Sequence, residues 1–338
     1  MYQMRQWIAA AEAELEREPD REAAPGRPLR PTPARPASPP VPGPAAHPLP
    51  WERARALAWD AGRPLPVVTR ALDEALGHAL AGPLTVGDAA APDVLLPAGT
   101  TVTPAVVGLA AAAGHDRPAV HRRPRVELLD LGGAPAASGP LLASWLARHG
   151  AEVTGRRPVP GDPGSLREAV HGCTADVVVT LGDTGTGTGP GAGAGARLLV
   201  DTVAVRPGLR MLLAELPPAP DGGPRFLVGL PGEPSAALAG AVTLAVPLLR
   251  RLGGHADPAP GSYRTTAATA LPGHPHDTRL LPVRRGAHGV APVRYDEAES
   301  TPAAGFLSGL VRAHGLAVVP PGGVPAGAEV EVLALPGA

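Results

Sequence analysis

Four short loops gather the residues that could hold an anionic ligand: Gly132-Gly133-Ala134-Pro135, Gly161-Asp162-Pro163, Gly182-Asp183-Thr184-Gly185-Thr186-Gly187-Thr188-Gly189 and Leu230-Pro231-Gly232-Glu233-Pro234-Ser235. Glycine lets a backbone approach a ligand closely, and alternating Gly and Thr adds hydroxyl donors to free amides, as an anion nest requires. The second and fourth loops run into predicted helix starts, where unpaired N–H groups and the helix dipole favour phosphate. Asp162 and Asp183 are the candidate catalytic acids, and Asp162 is also the candidate metal ligand. Each has a plainer reading: Asp162 as a helix N-cap before Pro163, Asp183 as a turn residue. Ser235 reads as a phosphate donor or as the N-cap of the last long helix. Arg206, in Arg206-Pro207-Gly208, reads as a phosphate contact or as a solvated charge. In a chain with 43 glycines the loops could also be flexible connectors.

The elements that would position these loops follow from apolar patterning. Val126–Leu131, Ala151–Thr154, Asp176–Thr180, Thr202–Val205 and Phe226–Leu230 read as strands. Helices alternate with them: one with Pro140 in its first turn and Leu142, Trp145, Leu146 and His149 on one side, one opening at Asp162-Pro163, and a long one over 235–251. Strands separated by helices predict a parallel sheet with right-handed crossovers, whose ligands sit outside the carboxyl ends of the strands. Upstream, residues 51–81 read as two helices, Val94–Thr100 as a strand entering a turn, and Thr103-Pro104 as the cap of a small helix. Downstream, Thr278–Val283, Val290–Val293, Leu316–Val319 and Val330–Leu335 read as short strands of an all-β barrel or sandwich, with Phe306–Val311 as a short helix or turn. Residues 5–19 look helical. Residues 25–50, with eleven prolines, read as a disordered tether.

The predicted fold is therefore α/β. It has a three-layer, mostly parallel sheet over 122–254, a helical entry region over 51–121, a small C-terminal β-barrel over 261–338, and an N-terminal helix and tether over 1–50.

Composition removes several function classes. Thirty basic against 31 acidic side chains give a net charge of −1, so no nucleic-acid surface is expected. The sequence has no lysine, which excludes a Gly-Lys-Ser/Thr phosphate loop and Schiff-base chemistry. The single cysteine, Cys173, makes no intrachain disulfide and fits a reducing cytoplasm. Its position at a helix end with no base beside it argues against a nucleophile. The start of the chain lacks a signal peptide's apolar core, and the apolar stretch Ser235–Leu249 reads as a buried helix, too short for a membrane span. His274 and His276 lack a third ligand at zinc spacing. No Gly-x-Ser-x-Gly elbow supports a serine hydrolase.

The order of motifs resembles one family. Gly99-Thr100-Thr101-Val102-Thr103-Pro104, with Gly108-Leu109-Ala110-Ala111-Ala112 and Gly114, resembles the segment entering the pterin-binding domain of molybdopterin molybdenumtransferases. Arg122-Arg123-Pro124-Arg125-Val126 resembles the entry to that domain's first strand. Ala175–Gly182 resembles the strand and turn before its pterin loop, and Arg206-Pro207-Gly208 its Lys-Pro-Gly turn. Leu230-Pro231-Gly232-Glu233-Pro234-Ser235 is similar to its Leu-Pro-Gly-Asn-Pro loop, and Ala313–Pro320 with Ala326–Val330 to its final barrel.

The resemblance spans about residues 51–338 and implies a cytoplasmic transferase of molybdenum-cofactor biosynthesis. Such an enzyme takes adenylylated molybdopterin and molybdate, uses magnesium, releases AMP, and works as a homodimer, with other cofactor-biosynthesis proteins as possible partners. It implies a pterin site at Gly132, Gly182, Thr184, Gly185, Thr186, Arg206, Pro207, Gly208, Pro231, Gly232, Glu233, Pro234 and Ser235, with Asp162 and Asp183 as the acids. Thr-Gly-Asp-Glu of the family is reduced here to Gly132-Gly133-Ala134, Glu233 replaces Asn, and the family's inserted domain has no counterpart between Leu80 and Asp93. Those departures keep a second reading open, a catalytically silent molybdopterin carrier or partner protein.

Overall fold

The computed structural model describes residues 48–338 except 88–92, 183–194, 209, 220–221, 260, 294–301 and 336–338. The predicted N-terminal helix and tether lie outside the described residues apart from 48–50, and so do Asp183, Thr184, Gly185 and Thr186.

Along the chain, β1 (Leu49–Pro50) leads into α1 (Trp51–Ala61). Then come β2 (Val67–Thr69), β3 (Leu84–Val86), β4 (Asp93–Leu96), α2 (Pro104–Ala112) and β5 (Ala119–His121). The central segment holds β6 (Arg125–Leu131), α3 (Ser138–Arg148), β7 (Glu152–Val159), α4 (Pro163–Gly172), β8 (Val177–Leu181), β9 (Arg197–Asp201), β10 (Val203–Arg206), β11 (Leu212–Leu216) and β12 (Arg225–Leu230). The helix α5 spans Pro234–Leu252. β13 (Tyr263–Thr266), β14 (Thr278–Gly286), β15 (Gly289–Pro292), α6 (Pro302–Arg312), β16 (Gly315–Val319) and β17 (Glu329–Ala334) follow.

The central sheet has the order β7-β6-β8-β12-β11-β9. Its first four strands are parallel, as predicted, and β11 and β9 complete it in antiparallel fashion. The fully buried run Val177–Leu181 sits at the middle of the parallel part, where both faces are covered and only apolar side chains are tolerated. One face packs its buried Val177, Val179 and Phe226 with side chains of α1, α3 and α5. The other packs Leu129, Val178 and Leu227 with Leu166, Ala169 and Val170 of α4. Asp176, just before β8, ties the sheet's entry down. Its carboxylate accepts two hydrogen bonds from Arg122, at 2.8 and 2.9 Å, and one from the Arg125 amide at 2.7 Å.

Several expectations need correction. The strand expected at Thr202–Val205 does not join the α/β sheet. Thr202 takes a left-handed φ of 59°, which swings the chain out after β9. β10 then pairs in parallel with β1 and β14 and belongs to the C-terminal sheet. The second helix expected within 51–81 is a set of turns over 72–77, because the backbone from Gly77 onward is taken by the 100–102 segment: Gly77 N donates to Val102 O and Leu80 N to Thr100 O. The second strand of the α/β unit is twice the expected length and runs to Val159. β13, β11 and β9 were not anticipated.

The apolar stretch after Pro234 forms a 19-residue helix, longer than expected and long enough by length and composition to cross a membrane, yet 89% of its most apolar window is buried in the protein. A π-helical turn at Ala241–Ala245 interrupts it. There Thr243 donates to Ala239 O at 2.6 Å and accepts from Trp51 Nε1 at 3.0 Å, pinning α1 to the bulge. In the C-terminal part, β14, β16, β17 and β13 pair antiparallel in that order, with β15 on the other edge of β14. A bridge from Ala267 to Val290 returns the chain after β13 to β15, around a core that includes Val283, Ala317, Val319 and Val332.

Candidate functional site

The carboxyl ends of β6, β8 and β12 meet in a cluster of small residues. A Cβ on Gly232 would lie 3.1 Å from Ala134 Cα and 3.3 Å from Gly182 Cα, so three loops approach to backbone contact at this one residue. Gly182 has φ +134° and a Cβ there would meet Leu131 Cβ at 2.8 Å, which leaves glycine as the residue that fits. Gly182 N donates to Leu230 O at 3.1 Å and joins the β8 and β12 exits. Ser138, fully buried at the start of α3, donates to Gly232 O at 2.6 Å. Ser138 was missed in the sequence reading; a serine at the head of the first crossover helix was the available signal. The loop after β7 comes near at its edge, where a Cβ on Gly161 would lie 4.0 Å from Gly132 N.

Among the described candidates, Asp162 takes up the capping role that its sequence also allows. Asp162 is the N-cap of α4: its carboxylate accepts from Ser165 N at 2.9 Å, and hydrogen bonds to Ser165 and neighbouring amides hold its pKa below the usual carboxylate range. The last long helix begins at Pro234, so its N-cap is Glu233 and not Ser235. The Glu233 carboxylate accepts from Ala236 N at 3.0 Å and from the Ser235 hydroxyl. The N–H end that was expected to receive a phosphate is thus already facing the chain's own carboxylate. Arg206 donates through Nε to Asp277 at 2.7 Å, so its charge is paired with a carboxylate. Its turn lies against the first turn of α5, where a Cβ on Gly208 would stand 3.0 Å from Ala236 O. Asp277 also faces His274 Nδ1 at 3.2 Å. Among the described residues no group of three or more His, Cys, Asp or Glu side chains is placed to hold a metal ion.

Cys173 is buried, and its thiol donates to Glu127 at 3.0 Å. Burial and that carboxylate push its pKa up to about 11, so the thiolate is scarce at neutral pH. The folded protein is expected to leave Cys173 untouched by a disulfide reagent at pH 8 and to titrate one thiol in urea. Fast labelling of the native state would place the thiol in an open site.

Comparison with known proteins bears on the domain that carries these loops. Residues 127–251 match the family model described as a probable molybdopterin binding domain. Over 266 residues the chain is 29% identical to a molybdopterin molybdenumtransferase of Nostoc sp., covering 72% of this chain and 60% of that protein. It is 34% identical over 177 residues to molybdopterin molybdenumtransferase 1 of Mycobacterium tuberculosis, covering 47% of this chain and 41% of that one. The chain therefore spans about 60% or less of the length of these curated relatives. A solved molybdenum cofactor biosynthesis protein from Pyrococcus furiosus superposes with TM-score 0.67 at 20% identity, over 86% of this chain and 100% of that one. A molybdopterin biosynthesis protein from Pyrococcus horikoshii does so with TM-score 0.65 at 16% identity, over 85% and 99%. Those two likenesses speak to the fold. The loop cluster at Gly232 falls inside the matched probable molybdopterin binding domain, and the curated proteins that the chain resembles are molybdopterin molybdenumtransferases.

Proposed function

We propose that this protein binds molybdopterin across the Gly132–Ala134, Gly182 and Pro231–Ser235 loops and acts in molybdenum-cofactor biosynthesis as a transferase. It would insert molybdate into adenylylated molybdopterin with release of AMP. The observation that carries this reading is the backbone-level meeting of three strand-end loops at Gly232 within the matched domain. Such a meeting is where an open α/β sheet takes its ligand. Arg206, Pro207 and Gly208 flank the cluster, and Asp183, Thr184, Gly185 and Thr186 are proposed to complete it. The chain's own contribution is to bind and orient its two substrates so that the reacting atoms meet.

Magnesium is the part of the family reading that the residues fit poorly. A magnesium ion asks for octahedral oxygen ligands from one or two carboxylates together with substrate phosphates. Asp162 already caps its own helix, and the described residues offer no ligand cluster. This same observation favours the second reading, a molybdopterin carrier or partner that kept the pocket without the chemistry.

The division into entry region, α/β domain of three layers and C-terminal barrel is proposed on separate cores. One holds Ala75, Leu80, Leu84, Val102, Ala110 and Val120, and another holds Val283, Val290 and Val332. A homodimer and a cytoplasmic location belong to the same proposal.

The deciding experiment is single-turnover release of AMP from adenylylated molybdopterin with molybdate, with and without magnesium, for the wild type and Asp162→Ala. The transferase reading expects stoichiometric AMP from the wild type. No AMP from folded, pterin-binding protein would leave the carrier reading standing. Loss of the Asp162 cap is expected to lower the melting temperature slightly and to leave turnover intact.

A further inference from the structure

A cavity lies away from the loop cluster, near the carboxyl end of α3. It is walled by Trp145 and His149 of α3, Arg55 of α1, Val242 and Val246 of α5, and Pro258 with strand residues Leu316 and Leu333. Its volume is about 20 Å³. A single water requires roughly 10–15 Å³, so the space suits one small ligand.

Its polar groups are mostly donors without acceptors. Trp145, 9% exposed, has an indole N–H with no partner, and the buried Nδ1 of His149 has none either. An indole nitrogen can only donate. Arg55 stacks over Trp51 at 4.8 Å and spends one N–H on Val242 O at 2.5 Å, which leaves further donors on the guanidinium. The carboxylates of Glu331, Asp257 and Glu52 act on Arg55 only at longer range, and among the described residues none pairs with it. On the other side, Arg148 and Arg250 act on His149. A guanidinium drawn out of water without a paired carboxylate is costly, and an anion of the right size relieves that cost while accepting the stranded N–H groups.

We propose that this cavity binds a single halide ion, chloride being the common one, held by Arg55, Trp145 and the Nδ1–H tautomer of His149. The site joins α1, α3, the π-helical turn of α5 and strands β16 and β17, so an ion there fastens elements from four parts of the sequence.

The test is thermal unfolding of the full chain at constant ionic strength, with chloride or bromide replacing gluconate, a monovalent anion too large for the cavity. The expected result is a saturable rise in Tm of about 2–3 °C by 100 mM halide, as follows for an ion that binds about tenfold below that concentration and only to the folded state. The rise should vanish in Arg55→Gln. Trp145→Phe keeps the ring and removes the N–H, so it should raise the halide concentration at half effect several-fold even if Arg55→Gln fails to fold. An equal response to gluconate, or a halide response unchanged in Trp145→Phe, overturns the proposal. So would a bromide-soaked crystal whose cavity holds water and shows no anomalous peak.

Discussion

Acidification from pH 7 to pH 5 is expected to remove about 4 kcal/mol of folding stability, a large part of the 5–15 kcal/mol typical of a domain. Two histidines carry the effect. His255, 4% exposed at the end of α5, meets Thr101 Oγ1 at 2.9 Å. Burial first, then Arg250, His78, Arg123 and His149, lower its pKa to about 3. Burial, Arg250 and Arg148 lower that of His149 to about 4. Above the unfolded value near 6.5 both rings are neutral in both states, and their protonation costs the fold nothing. Below it the unfolded chain takes protons that the folded one refuses until about pH 4 and pH 3. Stability therefore falls by up to about 1.4 kcal/mol per ring per pH unit through that window. Glu127 and Asp162, with lowered pKa values, add losses only in more acid solution, where their carboxylates protonate. Urea unfolding at pH 7, 6 and 5 reads the slope directly. In His255→Gln the slope should drop by about one proton, and a wild-type midpoint constant from pH 7 to 5 would show that these rings are not held neutral.

The second large effect is a gain. Replacing Glu233 by Asn should tighten binding of phosphate-bearing pterin about tenfold, while an unphosphorylated pterin binds as before. Asn caps a helix as well as a carboxylate does, so the Ala236 amide keeps an acceptor and α5 keeps its start. What disappears is a negative charge at the end of a helix dipole that would otherwise attract an anion. At roughly 10 Å or less and an effective dielectric near 20, that repulsion is on the order of 1.4 kcal/mol, one decade of affinity. Competition titrations with the two pterins separate this from a general loosening of the loop. Equal changes for both ligands would mean that no phosphate comes near Glu233.

The part of the site built from backbone was legible in the sequence. The loops at 132–135, 182–189 and 230–235 were singled out for close backbone approach, and Gly232 meets Gly182 and Ala134 of two of them. The apolar run at 177–181 announced a central parallel strand because burial on both faces leaves no polar alternation to misread. What stayed hidden depends on which partner a side chain chooses. Asp162 was read correctly as a possible cap because Pro163 marks a first helical position, and the same logic at Pro234 would have moved the cap from Ser235 to Glu233. Arg206 could not be paired with Asp277 from sequence, since 71 residues separate them and the contact exists only because β10 crosses into the C-terminal sheet. That crossing turns on one left-handed residue, Thr202, a conformation a threonine does not advertise.

Calorimetric titration of the purified protein with molybdopterin, beside Gly232→Val, tests the central claim most directly. A Cβ at Gly232 would press on Ala134 and Gly182, so a valine should part the three loops. The expected result is binding in the micromolar range or tighter by the wild type, whether or not magnesium is present, and binding weakened at least tenfold in a variant that remains folded by circular dichroism. Absence of binding by the wild type, or equal binding by the folded variant, would contradict a molybdopterin site at the meeting of these loops.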